Sequence, residues 1–258
     1  MLYSPRSMDF FAKRAIDLFG WERFYPIDSK RFGPETTVIF WLYDGEGYNL
    51  FKDSKVTKRV YWHGSDVYLS LSAEARKILK DTPAVHACQS EQQQYILNLA
   101  GVDAMVRPFF FGDVAKYKPG KLSETIDDVY INVNAGREEE YGLLHFLRAA
   151  KELPSKRFHV FGISEFIPIP NVLYYGRIPE EQYDDITKDF DLYCMLHRNA
   201  GTSQSALKAL MRGQRVVSNN RLSFDSHHVI NWRELLEYIN DPIGNFDDVP
   251  QLNQMDWL

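Results

Sequence analysis

From residue 129 onward, short and uniformly apolar runs alternate with longer segments of helical period, and this alternation constrains the fold more than any other feature. The runs at 129–133, 157–162, 172–175, 191–196 and 214–218 read as strands, and 138–153, 179–187 and 203–212 read as helices. A strand covered on one face alternates apolar with polar residues; a strand covered on both faces loses that period, as these do. Helices between successive strands supply the covering layers, so the pattern predicts an α/β fold with a mainly parallel sheet. The earlier half carries a sparser version. Asp9–Phe19 reads as a helix with Phe10, Phe11, Ala15 and Phe19 near one face and Gly20 after its last turn. Runs at 36–43, 60–62 and 85–88 read as strands, with Ser90 capping a helix that Gly101 stops, and 105–111 is again apolar.

A length of 258 residues accommodates two modest domains. The stretch 112–128, with Lys116, Lys118, Pro119, Gly120 and Lys121, is the boundary candidate, which predicts domains at 1–115 and 116–225 and a tail at 226–258. In that tail 231–238 reads as a helix ended by Asp241-Pro242. The formal charge of -5 argues against an extended, sequence-independent grip on nucleic acid, although Lys52, Lys55, Lys58 and Arg59 form a local basic cluster. Cys88 and Cys194 each sit in an apolar run, as buried thiols of a reducing compartment do. Asp9 and Asp17 interrupt the N-terminal segment, and no stretch approaches eighteen apolar residues. The expectation is a cytoplasmic protein, with peripheral contact at the inner membrane surface left open.

Three turns carry the candidate chemistry. The loop His197-Arg198-Asn199-Ala200-Gly201-Thr202-Ser203-Gln204 joins a strand to a helix with small and hydroxyl residues, a pattern that presents N–H groups to a phosphate or diphosphate. An ordinary helix cap by Thr202 or Ser203 explains the same residues. The turn Asn134-Ala135-Gly136-Arg137 follows the first strand of this half. In an open α/β sheet such turns gather at the carboxyl ends of the strands, where Arg137 either binds phosphate oxygens or pairs with Glu138, Glu139 or Glu140. In the first half, His63-Gly64-Ser65-Asp66 ends a strand; His63 either meets substrate or is structural, and Asp66 either joins it or caps the next turn. His227-His228 beside Asp225 lacks a well-spaced third ligand, so no structural metal is expected. His86, His145 and His159 read as packed. Gly-x-Gly-x-x-Gly, Gly-Lys-Ser/Thr and Gly-x-Ser-x-Gly motifs are absent, against dehydrogenases, nucleoside triphosphatases and serine hydrolases.

The ordered features from 129 to 219 resemble the donor domain of retaining GT-B-fold glycosyltransferases. The Gly136-Arg137 turn, the strand ending at Gly162, Asn171-Val172 with Tyr174-Tyr175-Gly176, Pro179-Glu180, Asp191 and Gly213 with the Gln214 to Ser218 strand after it carry the resemblance. His63-Gly64 resembles the acceptor-domain histidine more loosely, in a first lobe shortened relative to the family. The resemblance implies a GT-B-like pair of Rossmann-like lobes and transfer of a sugar from a nucleotide-diphosphate sugar to a hydroxyl with retention. It implies no tightly bound cofactor and no metal. The donor residues it implies are Gly136, Arg137, Gly162, Arg177, Gly201, Thr202, Ser203, Gln204 and Lys208, with His63, Asp66 and Arg137 in catalysis. The acceptor is open among a glycan, a lipid-linked sugar, a protein and a modified DNA base. Two family glutamates are replaced, by Ala200 and Lys208, and Tyr141 stands nearest the family's lysine. Lys208 is accordingly expected at a phosphate. A phosphorylase, an epimerase and a non-catalytic scaffold of the same fold are the rival readings.

Overall fold

The structure is a computed structural model that describes residues 2–4, 9–22, 37–40, 51–52, 58–64, 66–120, 123–197, 201–220 and 226–242. Ser65, Lys55, Lys121, Asp225, residues 41–43, residues 198–200 and the end at 245–258 lie outside them. Two compact units are distinguished: Met1–Asp113, to which Gly201 and Thr202 also belong, and Val114–Asn199 with Ser203–Pro250.

The first unit holds a five-stranded sheet in the order β1-β2-β3-β4-β5: Leu2–Tyr3, Thr37–Phe40, Lys58–Trp62, Val85–Cys88 and Ala104–Val106. All its pairings are parallel, with Arg59 opposite Val85 and His86 opposite Ala104. Consecutive residues of β3 feed opposite faces, because side chains on a strand alternate. Val60 and Trp62 join Val67, Leu79, Ile96 and Leu97 in one core cluster, while Tyr61 joins Ala12, Ala15, Phe109 and Phe111 in another. The covering helices are α1 (Asp9–Phe19), α2 (Asp66–Leu69), α3 (Ala73–Asp81) and α4 (Glu91–Leu99). Ser90 caps α4, its hydroxyl accepting from the Gln93 N–H at 3.2 Å.

The second unit holds a six-stranded parallel sheet in the order β11-β10-β9-β6-β7-β8. These are β6 (Asp128–Asn132), β7 (Arg157–Phe161), β8 (Val172–Gly176), β9 (Leu192–Met195), β10 (Arg215–Ser218) and β11 (His227–His228). Its helices are α5 (Leu143–Glu152), α6 (Glu180–Thr187), α7 (Gln204–Met211) and α8 (Trp232–Asn240). The chain grows outward from β6 through β7 to β8, then returns to the other flank of β6 with β9. The direction of winding therefore reverses between β6 and β9, the place where open parallel sheets leave a crevice at their carboxyl edge. One core cluster lies under α5 and α8, around Val129, Ile131, Phe146, Phe158, Val160 and Leu235, and another under α6 and α7, around Tyr130, Phe161, Tyr183, Tyr193 and Leu210.

In the second unit two elements depart from expectation. The helix expected over 138–153 begins only at Leu143, because Gly142 sits at φ 70 as its N-cap and a Cβ there would stand 2.6 Å from the Leu196 Cβ. β11 pairs parallel with β10 through Val217 opposite His227, a role that His227-His228 does not announce in sequence. Cys88 and Cys194 are free and buried, and burial pushes the Cys88 thiol up to about 12. Among the described residues no helix is long and apolar enough to cross a membrane.

Candidate functional site at the strand ends of the second unit

Because β6 and β9 are neighbours, the turn after one meets the loop after the other. The Arg137 N–H closes the first turn on the Asn134 carbonyl at 3.0 Å. Gly136 adopts φ 80 with open space where a Cβ would stand, so its glycine serves the backbone conformation. The Gly136 N–H donates to Glu138 Oε1 at 2.8 Å and holds that carboxyl below the usual carboxylate range. The Arg137 guanidinium donates to Glu140 through Nε at 2.6 Å and also through Nη2, and it lies 5.5 Å from the Tyr141 ring centroid. Glu140 Oε1 is 3.5 Å from His197 Nε2 in the loop after β9, and the Tyr141 and His197 rings meet edge-on at 4.3 Å. Asn134 Nδ2 donates to the Tyr141 hydroxyl at 2.7 Å. Asn134, Arg137, Glu140, Tyr141 and His197 thus form one polar and aromatic cluster at the reversal point.

The end of β10 braces that cluster from its other side. Asn219 Nδ2 donates to the Leu196 carbonyl at 3.1 Å and Asn220 Nδ2 to the His197 carbonyl at 2.7 Å. Neither asparagine is among the sequence candidates, while Glu140 is there only as one of three partners for Arg137 and His197 only as the first residue of its loop. The signal that could have found them is position: each lies within a few residues of a strand's carboxyl end.

The remaining donor-side residues divide. Ser203 caps α7, its hydroxyl accepting from the Ala206 N–H at 3.0 Å and lying 3.1 Å from the Tyr193 hydroxyl, which matches the cap reading. Gln204 opens α7 half-buried. Asn132 Nδ2 bonds Ser205 Oγ at 2.5 Å and the Tyr183 hydroxyl at 3.1 Å, tying the helix start to β6. Gly201 and Thr202 belong with the first unit instead, where Thr202 is buried and its hydroxyl lies 3.4 Å from the Gln89 carbonyl. Arg177 is exposed just after β8.

Lys208 is engaged by carboxylates of α6. Its ammonium is buried within α7's packing, 2.6 Å from Glu180 Oε1 and 2.8 Å from Asp184 Oδ1, both on α6. Arg212 adds a second cation at 2.8 Å from Asp184, and the Tyr117 hydroxyl donates to Asp184 at 2.9 Å. Burial pushes the Asp184 carboxyl up, yet Lys208, Tyr117 and Arg212 together hold it below its ordinary value. A lysine so enclosed answers two partly exposed carboxylates. At Gly162, φ 96 and a Cβ that would stand 2.0 Å from the Val133 carbonyl make the glycine necessary for close strand packing.

In the first unit, Asp66 is wholly buried and accepts from the N–H groups of Gly64 at 2.9 Å, Val67 at 3.1 Å and His63 at 3.3 Å. Burial raises its carboxyl to about 7 against the pull of those donors. A carboxyl without exposed surface that accepts from three backbone N–H groups organises this turn, as the capping alternative has it. His63 packs among the rings of Phe11, Phe111 and Tyr61, and burial lowers its imidazole to about 3, so it is neutral at physiological pH. His159 is packed as expected, with Nε2 2.8 Å from Asp128 Oδ1 and Nδ1 3.0 Å from the Tyr175 hydroxyl. Among the described residues no group of three or more His, Cys, Asp or Glu is placed to hold a metal ion.

No protein-family description matches the chain. No curated sequence matches it either. Solved structures do. A glycosyltransferase from Rickettsia africae ESF-5 aligns over 93% of this chain and 73% of its own, with TM-score 0.62 at 11% identity. TarM aligns over 80% of this chain with TM-score 0.59 at 13% identity, and the chain spans 47% of TarM's length. The apo lipopolysaccharide outer core galactosyltransferase WaaB aligns over 91% of this chain and 71% of its own, with TM-score 0.57 at 13% identity. At such identities the likeness is one of fold. Two Rossmann-like units, each with a wholly parallel sheet, give this chain the α/β architecture of the GT-B fold.

Proposed function

We propose that this protein is a glycosyltransferase that takes a sugar from a nucleotide-diphosphate donor, with the diphosphate held at the β6–β9 reversal point. The observation that carries the reading is the meeting of the Asn134–Arg137 turn with His197 at that point, through Glu140 and Tyr141. The fold adds support, since a point mutant of TarM from S. aureus, aligned at TM-score 0.50 and 14% identity, was crystallised with UDP and alpha-GlcNAc-glycerol. In the proposed reaction the acceptor oxygen forms a bond to the sugar's anomeric carbon as the bond from that carbon to the phosphate oxygen breaks. The departing phosphate oxygen takes the acceptor's proton, which requires no side-chain base. Arg137 would exchange Glu140 for the phosphate and stabilise the charge that develops on departure. Retention of configuration follows from the family resemblance, and the acceptor stays open.

The burial of Lys208 where the family carries a glutamate favours one second reading, a scaffold of this fold without transfer activity. A panel of nucleotide-diphosphate sugars separates the two. Release of nucleoside diphosphate from one donor, lost together with the donor's thermal stabilisation in Arg137→Ala, is the expected result. Neither release nor stabilisation across the panel would leave the scaffold.

A further inference from the structure

Outside the strand-end cluster, the first unit carries an open pocket of about 620 Å3 between α3 and the end of α4. It is lined by Arg76, Lys77, Lys80, Asp81, Ala100 and Gly101. Three cations therefore face one carboxylate. Among the described residues none of the three cations is in an ion pair or a side-chain hydrogen bond, and neither is Asp81. Lys80 stands one helical turn from both Arg76 and Lys77, so the like charges repel on one face of α3. Lys80 lies in the last turn of α3, where a cation complements the helix dipole, but Arg76 and Lys77 lie earlier and gain less from it. Gly101, at φ 82, has nothing within 4 Å of the place a Cβ would take, which leaves the pocket's rim clear.

We propose that this pocket is a second binding site, for a phosphorylated saccharide. Arg76, Lys77 and Lys80 supply the donors and charge that a phosphate dianion takes. Asp81 repels a bare anion, but its carboxylate accepts from sugar hydroxyls, and the backbone at Ala100 and Gly101 borders the same space. The volume falls in the range of small-molecule pockets, roughly 300–1,000 Å3, and exceeds what an inorganic ion fills. The site is independent of the proposed donor site, because every lining residue lies in the first unit.

Calorimetric titration of the whole protein at low ionic strength tests the proposal, with glucose 6-phosphate, glucose and inorganic phosphate as probes. The expected result is saturable binding of glucose 6-phosphate about tenfold tighter than either simpler probe. The double variant Lys77→Gln/Lys80→Gln should weaken it by about tenfold or more while leaving thermal unfolding unchanged, as exposed side chains allow. Asp81→Asn should weaken glucose 6-phosphate and not phosphate, and Arg137→Ala should change neither. Phosphate binding as tight as glucose 6-phosphate would overturn the saccharide assignment. Absence of saturable binding, or binding indifferent to the double variant, would overturn the site. Capture on phosphatidylglycerol vesicles, lost in the double variant and with no binding of glucose 6-phosphate, would overturn it in favour of a lipid surface.

Discussion

His63 and Asp66 lie three residues apart, and the same burial pushes them in opposite directions, to about 3 and about 7. Between pH 4 and 6.5 the folded chain keeps a proton on Asp66 that the unfolded chain has lost, so this group makes stability fall as pH rises. Over the same window the unfolded chain carries a proton on His63 that the folded chain lacks, so this group makes stability rise. The two slopes oppose each other in the native protein. Asp66→Asn should remove one and expose the other: urea unfolding followed by tryptophan fluorescence should show stability climbing with pH from about 4 to 6.5, by about 1 kcal/mol per unit. His86, lowered by burial to about 4, adds to the climb. A profile no steeper than the parent's, which keeps the His86 slope, would refute this account. Gly162→Ala tests a second residue, where a Cβ would overlap the Val133 carbonyl at φ 96; a loss of more than about 1 kcal/mol is expected in the same measurement. The sequence places His63, Asp66 and Gly162 at strand ends, but whether such a residue faces a ligand or the interior depends on packing from distant segments. Phe11 and Phe111 enclose His63 from far along the chain in both directions, and no local pattern records that.

The pair α6 and α7 shows what an element can lock in. Lys208 on α7 is matched to Glu180 and Asp184 on α6, with Arg212 and Tyr117 completing the set. Lys208→Glu would put three carboxylates together and leave Arg212 to answer them. Breaking a fully buried pair costs about 3–5 kcal/mol, and solvent screening at the partly exposed carboxylates reduces that here; the loss should appear as a lowered urea midpoint in Lys208→Glu. Exchanging Glu180 and Asp184 for neutral residues in the same chain should recover much of it, which distinguishes charge conflict from lost packing. Strands β6 to β10 of the second unit were legible within a residue or two, because uniform apolar runs such as Leu192–Met195 have few other fates. Helix α3 was not legible: Ala75 and Leu79 are the buried residues of Ala73–Asp81, and two apolar positions leave too weak a stripe. The late start of α5 was hidden too, since it depends on how near Leu196 comes to Gly142.

At the scale of the whole molecule, the two parallel sheets were foreseeable from alternation alone in the second unit and only partly in the first, where residues 41–43 of an expected strand lie outside the described residues. The order of the strands was not foreseeable residue by residue, and it is the order that brings the candidate site together. If a nucleotide-diphosphate sugar binds the native protein, thermal unfolding should shift upward with its concentration, by about 2.7 kcal/mol at a hundredfold excess over Kd. Arg137→Ala should abolish that shift while its own melting point stays near the parent's, because its pairing with Glu140 lies at the surface. The winding of the second sheet also sets a timetable for synthesis. β6 leaves the ribosome first and finds β7 soon afterwards, but its other flank stays bare until Leu192–Met195 has been made. A nascent chain halted before that point would present an open, apolar strand edge to its surroundings, so this protein should depend on chaperones most while residues between β8 and β9 are being translated.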